Sequence, residues 1–80
     1  METYELWDKD SRSIVGAFAS EAEALAAVRD ALDSHGQAYA ETFAVIREDA
    51  RGRSRLLGEG AALVELASRS ARSQSPTRAS

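Results

Sequence analysis

The chain of 80 residues contains no cysteine, a single histidine (His35) and a single proline (Pro76). Without thiols there is no disulfide to restrain the unfolded state and no thiolate nucleophile. One imidazole cannot assemble the Cys/His ligand sets of structural zinc sites, and no metal or other cofactor is expected. Aromatic residues are few: Tyr4, Trp7, Phe18, Tyr39 and Phe43. No apolar run approaches the ~18 residues of a membrane span. The opening Met1-Glu2-Thr3-Tyr4-Glu5 is acidic and lacks the apolar segment of a secretory signal, so a cytoplasmic location is expected.

A chain of this length is one domain with a thin core, burying only ~60% of the surface its unfolded form exposes. Apolar burial and conformational entropy nearly cancel at this size, so small scaffolds without staples recruit a partner. A homodimer is the expected solution. The formal net charge is −3, unevenly placed. Residues 1–42 carry nine acids and three bases, a net of −6, whereas residues 43–80 carry four acids and seven arginines, a net of +3. That asymmetry suits a polyanionic partner on one end, antiparallel self-association, or merely solvated charge.

The most strongly patterned stretch runs from Ile14 to Leu32. Ser20 precedes a run of helix formers and Glu23 follows three residues later, a capping box in which the serine hydroxyl accepts from the Glu23 N–H and the Glu23 carboxylate reaches back to the Ser20 N–H. Glu21 and Glu23 also place negative charge at the positive end of the helix dipole. Leu25, Val28 and Leu32 recur at helical spacing, widened by Ala24 and Ala31 and bounded by Arg29, while Asp30 and Asp33 face water. His35-Gly36 ends this helix, predicted over about Glu21 to Ser34, because glycine takes the left-handed cap conformation without a Cβ penalty.

Ahead of it, Tyr4–Trp7 alternates, Tyr4 and Leu6 on one face and Glu5 and Trp7 on the other. The polar run Asp8 to Ser13 turns it into Ile14–Phe18, predicting a hairpin. In regular alternation Ile14, Gly16 and Phe18 share one face of the second strand, and Val15 and Ala17 the other; Gly16 marks a bulge or a close approach. Beyond the helix, Gln37-Ala38-Tyr39 reads as a connection and Glu41–Arg47 as a strand buried on both faces, with a helix over residues 38–47 as the competing reading. Gly52 supplies the positive φ of the next turn. Ser54–Gly58 is a short fourth strand with Leu56 and Leu57 on opposite faces. A second helix covers about Ala61 to Arg69, with Leu63, Leu66 and Ala67 on one side. Residues 70–80 are expected to form a flexible polar tail. The order is β-β-α-β-β-α, an α+β domain over residues 1–69 with a four-stranded antiparallel sheet and two helices. Val15-Gly16 and Leu57-Gly58 occupy similar places without amounting to a repeat.

Nothing in the sequence assembles an active site. Ser34 and His35 are neighbours at a helix end, where the imidazole serves the dipole. The pairs Asp8/Asp10 and Glu48/Asp49 fall in turns, where acids hydrogen-bond the backbone. Gly58-Glu59-Gly60 lacks the lysine and glycine spacing of a phosphate loop. A non-enzymatic interaction module is therefore expected. Two small helices cover one face of the sheet, which leaves Trp7, Val15, Ile46 and Leu57 as candidates for self-association. The alternative is a nucleic-acid-binding regulator that uses the basic hairpin Arg51, Arg53 and Arg55 on phosphates, with solvated hairpin charge paired to Glu48 and Asp49 as the plainer account.

The run Ile14-Val15-Gly16-Ala17-Phe18 followed by Ser20 and Glu23-Ala24 resembles the strand–Gly-x-Phe–cap–helix corner of ethylene-response-type and integrase-arm DNA-binding domains. It is similar as well to the start of the helix in HicB-type antitoxins. The likeness spans about a quarter of the chain and implies a sheet that reads DNA through Arg and Trp. This first hairpin departs from that pattern, offering Lys9, Arg12 and Trp7 among acids. Taken together, Tyr4-Glu5-Leu6-Trp7-Asp8, Val15-Gly16-Ala17-Phe18, His35-Gly36 and Arg47-Glu48-Asp49 resemble short bacterial proteins of uncharacterised role, a likeness that implies a fold and no activity.

Overall fold

A computed structural model describes residues 2–74. Its elements run β1 (Thr3–Asp8), β2 (Ser13–Phe18), α1 (Glu21–His35), α2 (Gln37–Ala40), β3 (Phe43–Glu48), β4 (Ser54–Glu59) and α3 (Gly60–Gln74). The four strands form one antiparallel sheet in the order β2-β1-β3-β4, so the two hairpins join through their first strands. The α+β architecture and the strand order along the chain are those the alternation and turn chemistry predict, with one short helix added.

That helix, α2, occupies the segment read as a connection. It splits the ambiguous stretch of residues 38–47 into a helical turn and then a strand. Packing explains the division. Ala40 is fully buried, and Tyr39 stacks between His35 (ring centroids 4.7 Å apart) and Phe43 (5.2 Å, edge-on). The Thr42 hydroxyl donates to the Tyr39 carbonyl at 2.7 Å, closing the turn before β3 begins.

The α1 cap forms with one change. The Glu23 N–H donates to Ser20 Oγ at 3.2 Å, but the Glu23 carboxylate accepts from the N–H of Ala19, not Ser20, at 3.3 Å. At the other end Gly36 adopts φ 92° and returns its N–H to the Leu32 carbonyl at 2.9 Å. Ala24, Leu25 and Val28 are buried against Tyr4, Leu6, Phe43 and Val45 from the sheet and Leu63 and Ala67 from α3. Both long helices lie on this one face. Arg29, at the edge of the α1 stripe, donates from Nη1 to the Ala67 carbonyl at 3.2 Å and ties the helices together. The second helix continues past Arg69 to Gln74, so the first residues of the expected tail are helical. Polar composition did not end the helix because serine and arginine are tolerated on its outer turns; residues 75–80 of that tail lie outside the described residues.

Register reveals an order that the sequence pattern does not. Gly16, Leu6, Val45 and Gly58 lie directly opposite one another across all four strands. On either side of this row each hairpin carries a bulge at the equivalent place: Trp7 pairs with Ile14 and leaves Val15 extra, and Ile46 pairs with Leu56 and leaves Leu57 extra. The molecule is thus two ββα units related by a pseudo-twofold axis between Leu6 and Val45. At Gly58 a Cβ would meet Leu63 Cδ1 at 3.5 Å and its Cα at 3.6 Å, ordinary contact distances that show how closely α3 packs on this row.

Candidate interaction surfaces

An extra residue in a strand reverses the side on which its neighbours project. The two bulges consequently redistribute the residues proposed for self-association. Trp7 and Ile46 lie on the sheet face away from the helices, as expected. Val15 and Leu57 do not join them. Leu57 turns inward and packs against the core cluster. Val15, 55% exposed, lines a shallow recess with Phe18, Ala27, Ala31 and Tyr39 beside α1. Their places on the open face are taken by Ile14 and Leu56, which regular alternation would have sent the other way or left unremarked.

The open face is built from two cross-strand rows. One runs Ile14, Trp7, Ala44 and Glu59; the other runs Ala17, Glu5, Ile46 and Leu56. Ala44 is buried at the centre, Trp7 and Ile46 are half-buried, and Ile14 and Leu56 stand 50% and 51% exposed at its flanks. The indole N–H of Trp7 donates to Glu5 Oε1 at 3.1 Å, which fixes the ring and meets its polar edge. A groove here is lined by Trp7, Ala44, Ile46 and Leu56 with Lys9 and Arg12 at its rim. Lys9 pairs with Glu59 at 3.4 Å. Asp8 and Glu59 share that end of the groove with Lys9 and Arg12, and Glu5 and Glu48 lie towards the opposite end of the face. The sequence did carry a signal for the bulges: Ile14-Val15-Gly16 and Leu56-Leu57-Gly58 each place two apolar residues in succession ahead of a glycine, breaking the period of two.

A second surface surrounds the β3–β4 turn. Asp49 organises it: its Oδ1 accepts from the N–H of Arg51 at 2.9 Å and of Arg53 at 3.0 Å, and its own N–H reaches the Arg53 carbonyl at 2.9 Å. Gly52, at φ 81°, makes the reversal, as expected. The Asp49 carboxylate is thus spent on the backbone and not on the arginines. Arg51, Arg53 and Arg55 are all exposed, and among the described residues none is within ion-pair distance of a carboxylate. Arg55 stands directly opposite Arg47, on the strand side shared with Tyr4 and Phe18. Arg47, Asp49, Arg53, Ser54 and Arg55 border a recess of ≈ 360 Å³, and Arg51 borders a neighbouring hollow together with Arg47, Asp49 and Arg53. Arg47 lies outside the hairpin tip itself, and register brings it beside Arg55.

Arg47 also anchors the amino-terminal segment. Its guanidinium pairs with the Glu2 carboxylate, which accepts the Tyr4 hydroxyl at 3.2 Å as well. The hydrogen bond from Arg47 holds the Glu2 carboxyl below its ordinary pKa. Loss of solvent around Tyr4, followed by its bond to Glu2, pushes the phenol up, and Glu2 in turn raises Arg47.

Neither surface has the makings of a metal centre, since among the described residues no three His, Asp or Glu side chains gather to hold an ion. His35 stacks on Tyr39 at the end of α1. No described helix is long and apolar enough to cross a membrane. The chain matches no family model, no curated protein and no solved structure.

Proposed function

We propose that this chain is a cytoplasmic, non-enzymatic interaction module that pairs with a second copy of itself through the open face of the sheet. The observation that carries this reading is the apolar patch of Ile14, Trp7, Ile46 and Leu56, set on the face that neither helix covers. Two features favour a second copy as its occupant. The patch is itself arranged about the internal pseudo-twofold, with Trp7 equivalent to Ile46 and Ile14 to Leu56. A partner reversed end for end also sets Arg12 over the Glu5 and Glu48 end of the first. Isologous twofold pairing is the commonest way such a surface is closed.

The test is sedimentation equilibrium of the full chain over a range of concentrations, alongside an Ile14→Glu, Leu56→Glu variant. Both side chains are half-exposed in one protomer, so circular dichroism of the variant should be unchanged while its mass falls to that of one chain. A wild-type chain that stays single at high micromolar concentration, or a variant that still pairs, overturns the reading.

A second reading is a nucleic-acid contact through Arg51, Arg53 and Arg55. It is favoured by the exposure of the three guanidinium groups, none of which is within ion-pair distance of a carboxylate among the described residues. Phosphate contacts of this kind predict affinity for oligonucleotides that falls steeply with salt; reversing the three charges abolishes it if the reading holds.

A further inference from the structure

We infer that Arg12 sets the direction in which two copies pair, each Arg12 guanidinium meeting the Glu5 and Glu48 carboxylates of the other copy. This rests on the self-pairing reading above and names the residue that orients it. Arg12 holds φ 58°, a left-handed conformation that is costly for a residue with a Cβ, whereas the second turn uses Gly52 at φ 81°. A strained position kept under a long cationic side chain points to a contact made by that side chain. Arg12 is exposed and borders the groove of the open face with Trp7, Ile46 and Leu56. Asp8 and Glu59 share that end of the groove, but Glu59 pairs with Lys9 and Asp8 Oδ1 accepts the Asp10 N–H at 3.0 Å. Among the described residues no carboxylate lies within ion-pair distance of Arg12.

The apolar patch repeats about the internal pseudo-twofold, so its side chains alone accept a partner in either of two directions. A pairing axis parallel to the strands brings like ends together. Glu5 and Glu48 of one copy then face Glu48 and Glu5 of the other, acid against acid. An axis across the strands reverses the partner end for end. Arg12 lies two residues beyond the Trp7–Ile14 pair at one end, and Glu48 two residues beyond Ile46, which faces Glu5, at the other. Reversal therefore lays Arg12 against Glu5 and Glu48, and the twofold makes the contact twice. Neither acid has a base within ion-pair distance in its own chain among the described residues, and Glu5 gives only Oε1 to the Trp7 indole. Like charges set against each other across an interface exclude the first direction, and opposite charges select the second.

The experiment is a charge swap read by sedimentation equilibrium of full chains. Arg12→Glu should weaken pairing about a hundredfold, roughly tenfold for each of its two symmetric contacts. A Glu5→Lys, Glu48→Lys chain should be weakened likewise. Mixed in equal amounts, the two variants should pair again to within about tenfold of wild type, because every contact is then restored with its signs exchanged. Pairing unchanged in Arg12→Glu, or variants that stay single when mixed, overturns the inference. If circular dichroism shows the lysine variant unfolded, carbodiimide coupling of an Arg12→Lys chain decides instead. An amide joining residue 12 of one copy to Glu5 or Glu48 of another supports the contact, and paired chains that form no such amide overturn it. Failure of the two readings is told apart by the wild type. A wild-type chain that stays single removes both, whereas pairing that is lost in Ile14→Glu, Leu56→Glu and kept in Arg12→Glu removes only this one.

Discussion

The first hairpin turns through Asp8-Lys9-Asp10-Ser11-Arg12-Ser13 and the second through Asp49-Ala50-Arg51-Gly52-Arg53-Ser54. In both an aspartate opens the turn and accepts from the N–H two residues on, at 3.0 Å for Asp8 and 2.9 Å for Asp49. In both an arginine and a serine close it, and a bulge follows with two apolar residues ahead of a glycine. The halves then diverge. The first turn places its positive φ on Arg12, at 58°, and the second on Gly52, at 81°. The first leads to a helix announced by Ser20 and Glu23, whereas α3 begins directly off β4 at Gly60. The first turn is mixed in charge and its Lys9 is paired; the second is basic and open. Shared residues are those that shape the backbone, and the residues that differ are those that meet solvent. The frame accounts for the fold, and the decoration gives the two hairpins different surfaces.

The largest test of this equivalence lies in the core. Leu25 of α1 and Leu63 of α3 are both fully buried in one cluster. Replacing either with alanine should cost about 2–5 kcal/mol in urea denaturation, and each variant should still unfold in one transition. Two transitions in either would show that the units fold separately. Next comes the helix start. Ser20→Ala removes the oxygen that accepts the Glu23 N–H and should cost ~1 kcal/mol by the same measurement, an effect that should be absent for alanine at the exposed Ser11.

A smaller contrast sets the turns against each other. Gly52→Arg places a side chain at positive φ and should lose roughly 1 kcal/mol. Arg12→Gly relieves that strain in the first turn, but the freer unfolded chain offsets most of the gain, leaving roughly a few tenths of a kcal/mol. Opposite signs in thermal melts are the expected result, and equal signs would deny the turns their correspondence. The smallest effect belongs to Glu2, whose folded pKa lies below its ordinary value. A depressed carboxyl stabilises the fold above its unfolded pKa of ~4.3 and loses that contribution as pH falls through the folded value. Glu2→Gln should therefore be less stable than wild type near neutral pH and converge with it once the pH has fallen through the lowered folded value, as read from denaturant midpoints.

Much of this fold is legible in the sequence because its signals are local. Ser20 and Glu23 mark where α1 begins, Gly36 where it ends, and Gly52 the second turn; each depends on residues within one helical turn or one reversal. The alternation of Tyr4 to Trp7 and Phe43 to Ile46 gives the correct faces for the two central strands. On the edge strands alternation misplaced Ile14 and Val15, and it separated Leu56 from Leu57 without telling which of them meets the core. A bulge is a property of two paired chains, and the side taken by Val15 or Leu57 follows from which residue of β1 or β3 lies opposite. Gly16 and Gly58 hinted at it, but the register that makes them partners in one row is long-range. The same holds for Arg47, forty-five residues from the Glu2 it holds and directly across the ladder from Arg55. The helical turn at Gln37–Ala40 could not be told apart from the strand that follows because four residues are too few for periodicity; Tyr39 sits there between the rings of His35 and Phe43.

Both outer strands of the sheet, β2 and β4, are the ones that carry the extra residue. Such an interruption kinks the strand and leaves its outward-facing N–H and C=O groups out of step with those of a regular neighbour. Neither border of the molecule offers a straight template on which further strands could be laid. Growth by lateral addition, the route to fibres, is hindered at both edges.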